Sequence, residues 1–171
     1  MTAAPRIETE RLTLRPYRLD DWERFAAFYE SDAARYVGGP LRRQRIWNGF
    51  LADVGSWELF GFGYRALEET ASGVHVGNVG LSHPPHFPER EIGWTVFPEF
   101  QRRGFATEAA LAARRFACGP LGWTGAVSYI DRENAASIAL ARRLGCIADP
   151  GAERFDPVDL VFRHPAPEAL R

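Results

Sequence analysis

Two hydrophobic periods interleave along this chain. Residues 11–17 alternate, with Leu12 and Leu14 apolar against Thr13 and Arg15, which reads as a strand ended by Pro16. Asp20 then offers a cap to a helix whose apolar face is Trp22, Phe25, Ala26 and Tyr29. A Gly-Gly-Pro loop at 36–40 leads into residues 41–54, which repeat at helical spacing although Asn48-Gly49 interrupts them. Residues 58–67 and 74–81 read as two strands joined by a turn at 68–73, and prolines at 84, 85 and 88 stiffen the path to a strand at 91–97. A helix at 105–117 comes next, stopped by Gly119-Pro120, then a strand at 122–130 and a helix at 134–144 with Gly145 beyond its end. Residues 146–148 and 158–162 predict a closing strand pair, and the chain from Pro165 reads as a loose tail. This order predicts one α/β domain over 1–171 with a mixed sheet, in which 91–97 and 122–130 are joined by a right-handed parallel crossover.

The stretch 90–117 carries the most chemistry. Between its strand and its helix lies Gln101-Arg102-Arg103-Gly104-Phe105-Ala106-Thr107. A glycine at that point lets the backbone turn tightly and present successive N–H groups at a helix start, where partial positive charge also gathers. An anion, most naturally a phosphate, suits such a turn. An ordinary strand–turn–helix corner with a solvated arginine pair suits the same residues. In parallel units ligands collect at the carboxyl ends of the strands, which is where 101–106 falls.

Composition narrows the classes. The net charge of −1 predicts no attraction to nucleic acid or to an anionic membrane. All 21 basic residues are arginine, so a lysine nucleophile or Schiff base is excluded. Cys118 and Cys146 lie far apart with no CxxC pattern, which indicates neither a disulfide framework nor a zinc site. The opening residues lack an apolar run and nothing reaches membrane-spanning length, so the expected setting is the cytoplasm. Gly61-Phe62-Gly63-Tyr64-Arg65-Ala66 matches G-x-G-x-x-A, yet no helix follows it and the dinucleotide reading fails. His83 and His86 lack a clear third ligand, so no metal is expected there.

The opening I-E-T-E-R-L-T-L-R-P-Y, the central E-I-G-W-T-V-F-P-E-F-Q-R-R-G-F-A-T-E-A and the later N-A-A-S-I-A-L-A-R-R-L-G together resemble the GNAT superfamily of N-acetyltransferases. Within it the chain is most similar to the RimJ/RimL branch, whose named members acetylate the N-termini of ribosomal proteins. The resemblance spans nearly the whole chain and implies a mostly antiparallel sheet in which 91–97 and 122–130 run parallel and splay apart. It implies acetyl-CoA as co-substrate, no metal, and a signature Gln101-x-x-Gly104-x-Ala106 whose amides cradle the pyrophosphate. Val96 and Phe97 would meet the pantetheine arm through backbone atoms, and Asn134 would touch the same arm while also capping its helix. Many members place a tyrosine acid where this chain has Ala141; the RimJ/RimL branch often has a serine earlier, matched by Ser137. A mid-helix serine is also often merely solvated or bonded to its own backbone.

Amine acetylation needs a neutral amine, a polarised thioester carbonyl and a stabilised thiolate. Glu91 is the candidate to accept the amine proton, directly or through water; an edge charge paired with Arg90 or Arg132 is the alternative. A backbone N–H near Val96 could serve as oxyanion donor. The family's acceptor cleft is bordered by the loop holding Tyr36 and by a late acidic segment containing Asp149, Glu153, Asp156 and Asp159, with Arg154 as its one opposing charge. That implies a cationic amine acceptor, either a small molecule or a protein N-terminus, and leaves a homodimer open. A non-catalytic acyl-CoA sensor on the same fold is the competing expectation.

Overall fold

Leucines at alternate positions of one strand, with a third on its neighbour, set the core. Leu12, Leu14 and Leu67 are fully buried, joined by Val79, Leu81 and Ile92 from the next strands. The computed structural model describes residues 4–166. Among these, β1 (Ile7–Glu8), β2 (Leu12–Arg15), β3 (Tyr64–Glu69), β4 (Val74–Ser82), β5 (Glu91–Val96), β6 (Val127–Asp131), β7 (Ile147–Ala148) and β8 (Asp159–Arg163) form one sheet. Their order is β1-β2-β3-β4-β5-β6-β8-β7, and every adjacent pair is antiparallel except β5 with β6. Four helices flank it: α1 (Trp22–Glu30), α2 (Arg43–Phe60), α3 (Phe105–Cys118) and α4 (Ala135–Arg143).

Helix α3 lies across β2, β4 and β5. It presents Ala109, Ala112, Ala113 and Ala117, all at most 2 % exposed, so small side chains let the helix sit close to the sheet. Helices α1 and α2 close a separate aromatic cluster around Phe25, Ile46 and Phe50, with Tyr17 and Trp22 against it.

Two boundaries differ from the sequence reading. Residues 58–60 belong to α2, not to a strand: Trp57 is buried, its indole N–H donates to Tyr64 O at 2.8 Å, and the helix ends at Gly61 in the left-handed region (φ 71°). The Arg65 guanidinium packs between the Trp57 and Phe116 rings at 4.2 and 4.3 Å, fixing that last turn. The strand expected at 122–130 begins only at Val127, because Gly122 turns back (φ 61°) and Trp123 N–H donates to Ala117 O. Of the tail expected from Pro165, residues 167–171 lie outside the described part.

The start of α1 depends on Asp21, not Asp20. The Asp21 carboxylate accepts both terminal nitrogens of Arg15, at 2.7 and 2.8 Å, and the Arg18 N–H at 2.7 Å. Arg15 and Asp21 are each 3 % exposed, and Arg15 also donates to Glu68. Burial alone would push Asp21 upward, but the Arg15 and Arg18 bonds outweigh it and hold the carboxyl below its ordinary value. Its contribution is therefore complete above the usual aspartate range near ~4 and fades as pH falls below that. Asp21→Ala leaves a buried guanidinium short of its partner and should cost about 3–5 kcal/mol in urea unfolding, whereas Asp20→Ala should cost under ~0.5 kcal/mol. Equal effects of the two substitutions would contradict this assignment.

Candidate active site

Strands β5 and β6 share a single paired position, Glu91 with Val127, and then part. Around it, Arg90 O accepts from Val127 N–H at 2.9 Å and Ile92 O accepts from the Ser128 hydroxyl at 2.6 Å. Strand alternation turns the backbone groups of Trp94 and Val96 toward the same side, which beyond Ile92 is the gap. The Gln101 side chain donates to Val96 O at 2.9 Å, and the Val96 N–H remains turned to the opening. Phe97, expected to offer backbone atoms there, instead donates its N–H to Val76 O and accepts Phe100 N–H at its carbonyl.

At the far end of the gap stands the turn into α3. Gly104 is its N-cap at φ 83° and Arg102 adopts φ 64°, both in the left-handed region. The N–H groups of Phe105, Ala106 and Thr107 begin the helix and have no earlier helical carbonyl to donate to. Arg11 braces the turn by donating to Arg103 O at 2.7 Å and pairing with Glu108 at 2.8 Å, so the one carboxylate of the first turn is neutralised. Arg103, itself exposed, lies over Phe100 and within 3.7 Å of Glu69, and Arg102 is exposed beside it. The turn thus presents unpaired helix-start amides beside exposed arginine side chains, an arrangement that suits an anion.

A cavity of about 540 Å³ opens beside the paired end of β5 and β6. It is lined by Glu91, Trp94, Asn134, Ser137 and Tyr36 among others, so it gathers both catalytic candidates and one predicted acceptor-side residue. Asn134 caps α4 by accepting Ser137 N–H at 3.1 Å, and the Trp94 indole N–H donates to Ser137 Oγ at 3.3 Å. Ala141, the position at which the resemblance implies a tyrosine acid in other members, is fully buried. Asp149 and Glu153 are not among the lining residues; Asp156 and Asp159 of the same segment are. Arg163, rather than Arg154, opposes Asp149: it pairs with Asp149 at 2.8 Å and Glu89 at 2.7 Å, while Arg154 donates to Pro150 O.

Glu91 has no arginine partner among the described residues. Arg90 lies over the Trp123 ring at 5.0 Å, and Arg132 donates to the carbonyls of Pro157 and Val158. Burial pushes the Glu91 carboxyl up to about 8; a Tyr129 backbone hydrogen bond opposes this and the Asp159 charge adds to it. Asp159 is itself raised to about 6 by burial and by Asp156 and Asp131.

Sequence reasoning missed Tyr64 and Tyr29. A Cβ at Gly93 would lie 2.0 Å from the Tyr64 hydroxyl oxygen, and one at Gly80 would lie 2.4 Å from its ring. The two glycines on neighbouring strands therefore form a slot that lays this tyrosine across the sheet and brings its hydroxyl to the cavity. Paired glycines inside strand patterns were the available signal, and the failed dinucleotide motif drew attention to Gly61 and Gly63 instead. Thr95 continues the face of Glu91 and Gly93, and the Tyr29 hydroxyl bonds to it.

The comparisons with known proteins agree with this geometry. The family model described as Acetyltransferase (GNAT) domain matches residues 11–147. An acetyltransferase from Agrobacterium tumefaciens str. C58 is 39 % identical, superposes with a TM-score of 0.90, and 94 % of each chain is covered. A putative GnaT-family acetyltransferase from Bordetella pertussis is 26 % identical over 94 % of this chain and 99 % of its own, with a TM-score of 0.77. A putative ribosomal-protein-serine acetyltransferase from Vibrio cholerae shares the fold at 24 % identity and a TM-score of 0.76, over 96 % of this chain and 100 % of its own.

A raised carboxyl carries a sign for stability. Because folded Glu91 holds its proton more tightly than the unfolded chain, its contribution is complete below the ordinary value near ~4.3 and is lost as pH rises through about 8. Glu91→Gln should therefore stabilise the fold at pH 9, by on the order of 1 kcal/mol after cavity water screens the charge, and by less at pH 5. Paired urea titrations of both proteins check this, together with a carbon NMR titration of Glu91 expected to centre near 8. A Glu91 midpoint near 4 would contradict the burial argument.

Proposed function

This chain belongs to the GNAT acetyltransferase family, and on that footing we propose that it is an N-acetyltransferase that moves acetyl from acetyl-CoA to a primary amine. The observation that carries the reading is the fork: an amide-lined helix start at one end, an uncompensated carboxyl at the other, and an opening strand edge between them. A long anionic thioester suits that layout. Its pyrophosphate would meet the amides at 102–107, and its arm would run past Val96 and Asn134 toward the cavity. The proposed unit is one domain over 1–171. An intracellular thioester as donor suits the cytoplasm.

The chemistry then divides between two side chains. The Glu91 carboxylate takes a proton from the incoming ammonium, directly or through a water, and the freed lone pair attacks the thioester carbonyl. A raised Glu91 suits this step, since its proton affinity comes near that of an α-amine at ~8. The Val96 N–H serves the oxyanion as the carbon–nitrogen bond forms. When the carbon–sulfur bond breaks, the nitrogen gives up its second proton and the thiolate takes one up. The Ser137 hydroxyl would donate a hydrogen bond to the departing sulfur and relay that proton to it. Its oxygen already accepts the Trp94 indole N–H, which leaves the serine proton free to turn toward sulfur. Likeness to the ribosomal-protein enzymes extends to the fold, so the RimJ/RimL assignment rests on Ser137 and the sequence motifs alone.

Thiol release from acetyl-CoA with an amine panel tests the reading, since a sensor would bind and release nothing. Glu91→Gln should lower kcat by about 10²–10⁴-fold and remove the acid limb of the pH–rate profile. Ser137→Ala should cost about 10-fold, the loss of one modest hydrogen bond in the transition state, because a thiolate leaves fairly well unaided. A larger loss from Ser137→Ala than from Glu91→Gln would reverse the roles.

A further inference from the structure

One stretch of the cavity lining is aromatic, and three separate segments build it. Phe87 comes from the proline-rich connection before β5, Tyr129 from β6 and Phe155 from the acidic segment before β8. Phe87 packs on Phe155 at 4.6 Å and edge-on to Tyr129 at 5.5 Å, and His86 lies 5.3 Å from Phe155 on the outer side. Phe155 is nonetheless 48 % exposed, in a segment whose other residues are charged, proline or small apart from Val158. A large ring held by neighbours at a cavity mouth, half in water, has apolar area left to cover.

Charge on the same cavity is one-sided. Glu91, Asp131, Asp156 and Asp159 line it, and the one cationic lining residue, Arg35, stacks over Tyr36 at 4.4 Å. The nearby guanidiniums of Arg132 and Arg163 are engaged elsewhere, on backbone carbonyls and on the Glu89–Asp149 pair. Negative potential and an aromatic wall together suit a cation attached to an apolar body. A free amino acid would bring a second carboxylate against this acidic lining, where Asp131 and Asp156 lie beside Glu91 and Asp159, and a polyhydroxylated or polycationic amine would leave the aromatic wall uncovered.

We propose that the acceptor is a primary amine bearing an aromatic or large apolar group within a few bonds of its nitrogen and no carboxylate beside it. The amine meets Glu91 while the apolar group packs on Phe87, Tyr129 and Phe155. This rests on the acetyltransferase reading and adds the substrate class to it. Free arylalkylamines and peptides with an aromatic first residue share that chemistry.

Acceptors are compared on the whole protein with saturating acetyl-CoA: phenethylamine, propylamine, spermidine, free phenylalanine, and an amidated tripeptide beginning with phenylalanine. Phenethylamine or the tripeptide should show a KM at least ~10-fold below propylamine, and whichever of the two is lower identifies the source. Free phenylalanine should be the poorest aromatic acceptor. In Phe155→Ala the preference for phenethylamine over propylamine should collapse to within about threefold. Preference for spermidine or propylamine, or an undiminished preference in a folded Phe155→Ala protein, overturns the inference. If no amine releases thiol, the acetyltransferase reading fails separately. Calorimetric binding of phenethylamine against propylamine to the coenzyme A complex then still decides the substrate class: tighter phenethylamine binding supports it, and equal or weaker binding overturns it.

Discussion

The structure turns on the parting of β5 and β6 after one paired position. Two parallel strands gain backbone hydrogen bonds by staying together, so a fork needs something to hold it open. A side-chain relay occupies the last β5 carbonyl before the strands part, which a β6 amide would otherwise take. Cys146 S–H points to His164 Nδ1 at 3.4 Å, His164 Nε2–H donates to Ser128 Oγ at 3.0 Å, and the Ser128 hydroxyl donates to Ile92 O at 2.6 Å. Since Ile92 O can only accept, the direction of every bond along the chain is set by it. Burial pushes His164 down to about 4 and Cys146 up to about 11, so both stay neutral near pH 7 and the relay keeps its polarity. Ser128 thus caps Ile92 O at the last point where the strands touch, and the Trp94 and Val96 backbone is left facing the gap.

Around this fork the protein exchanges stability for chemistry. Several structural ions are matched by opposite charge: Arg15 with Asp21 and Glu68, Arg11 with Glu108, Arg163 with Glu89 and Asp149. Where the cavity lies, the carboxyls of Glu91 and Asp159 are raised by burial and like charge instead of being paired. Unpaired carboxyls in partly buried positions cost the fold free energy and, in return, hold protons near neutral pH. In the acceptor class proposed above, the acidic lining that Asp131 and Asp156 share with these groups would draw a cation and disfavour a second carboxylate.

Much of this was legible in the residue order. The strand and helix around 91–117, the turn at Gly104 and the position of Glu91 all obey local rules, since glycine, proline and period-two alternation act over a few residues. The α2–β3 boundary was not legible, because Trp57 and Arg65 fix it through a contact with Phe116 some fifty residues on, outside any local window. Nor was the pairing of Asp149: Arg163 comes from β8 and reaches it only after the last strands assemble. Tyr64 escaped for the same reason, as its slot needs Gly80 and Gly93 side by side on β4 and β5. Composition could mark the late segment as acidic, but only the fold shows that Asp156 and Asp159 face inward while Asp149 does not.

A crystal structure of the protein with coenzyme A bears most directly on the fork as the seat of the reaction. In that complex the pyrophosphate should sit on the amides of residues 102–107, and the pantetheine arm should run along the Val96 edge between β5 and β6. The sulfur should lie within reach of Ser137 and on the Glu91 side of the gap. Coenzyme A bound outside the fork, or a fork zipped shut with Trp94 and Val96 paired to β6 in the complex, would contradict it.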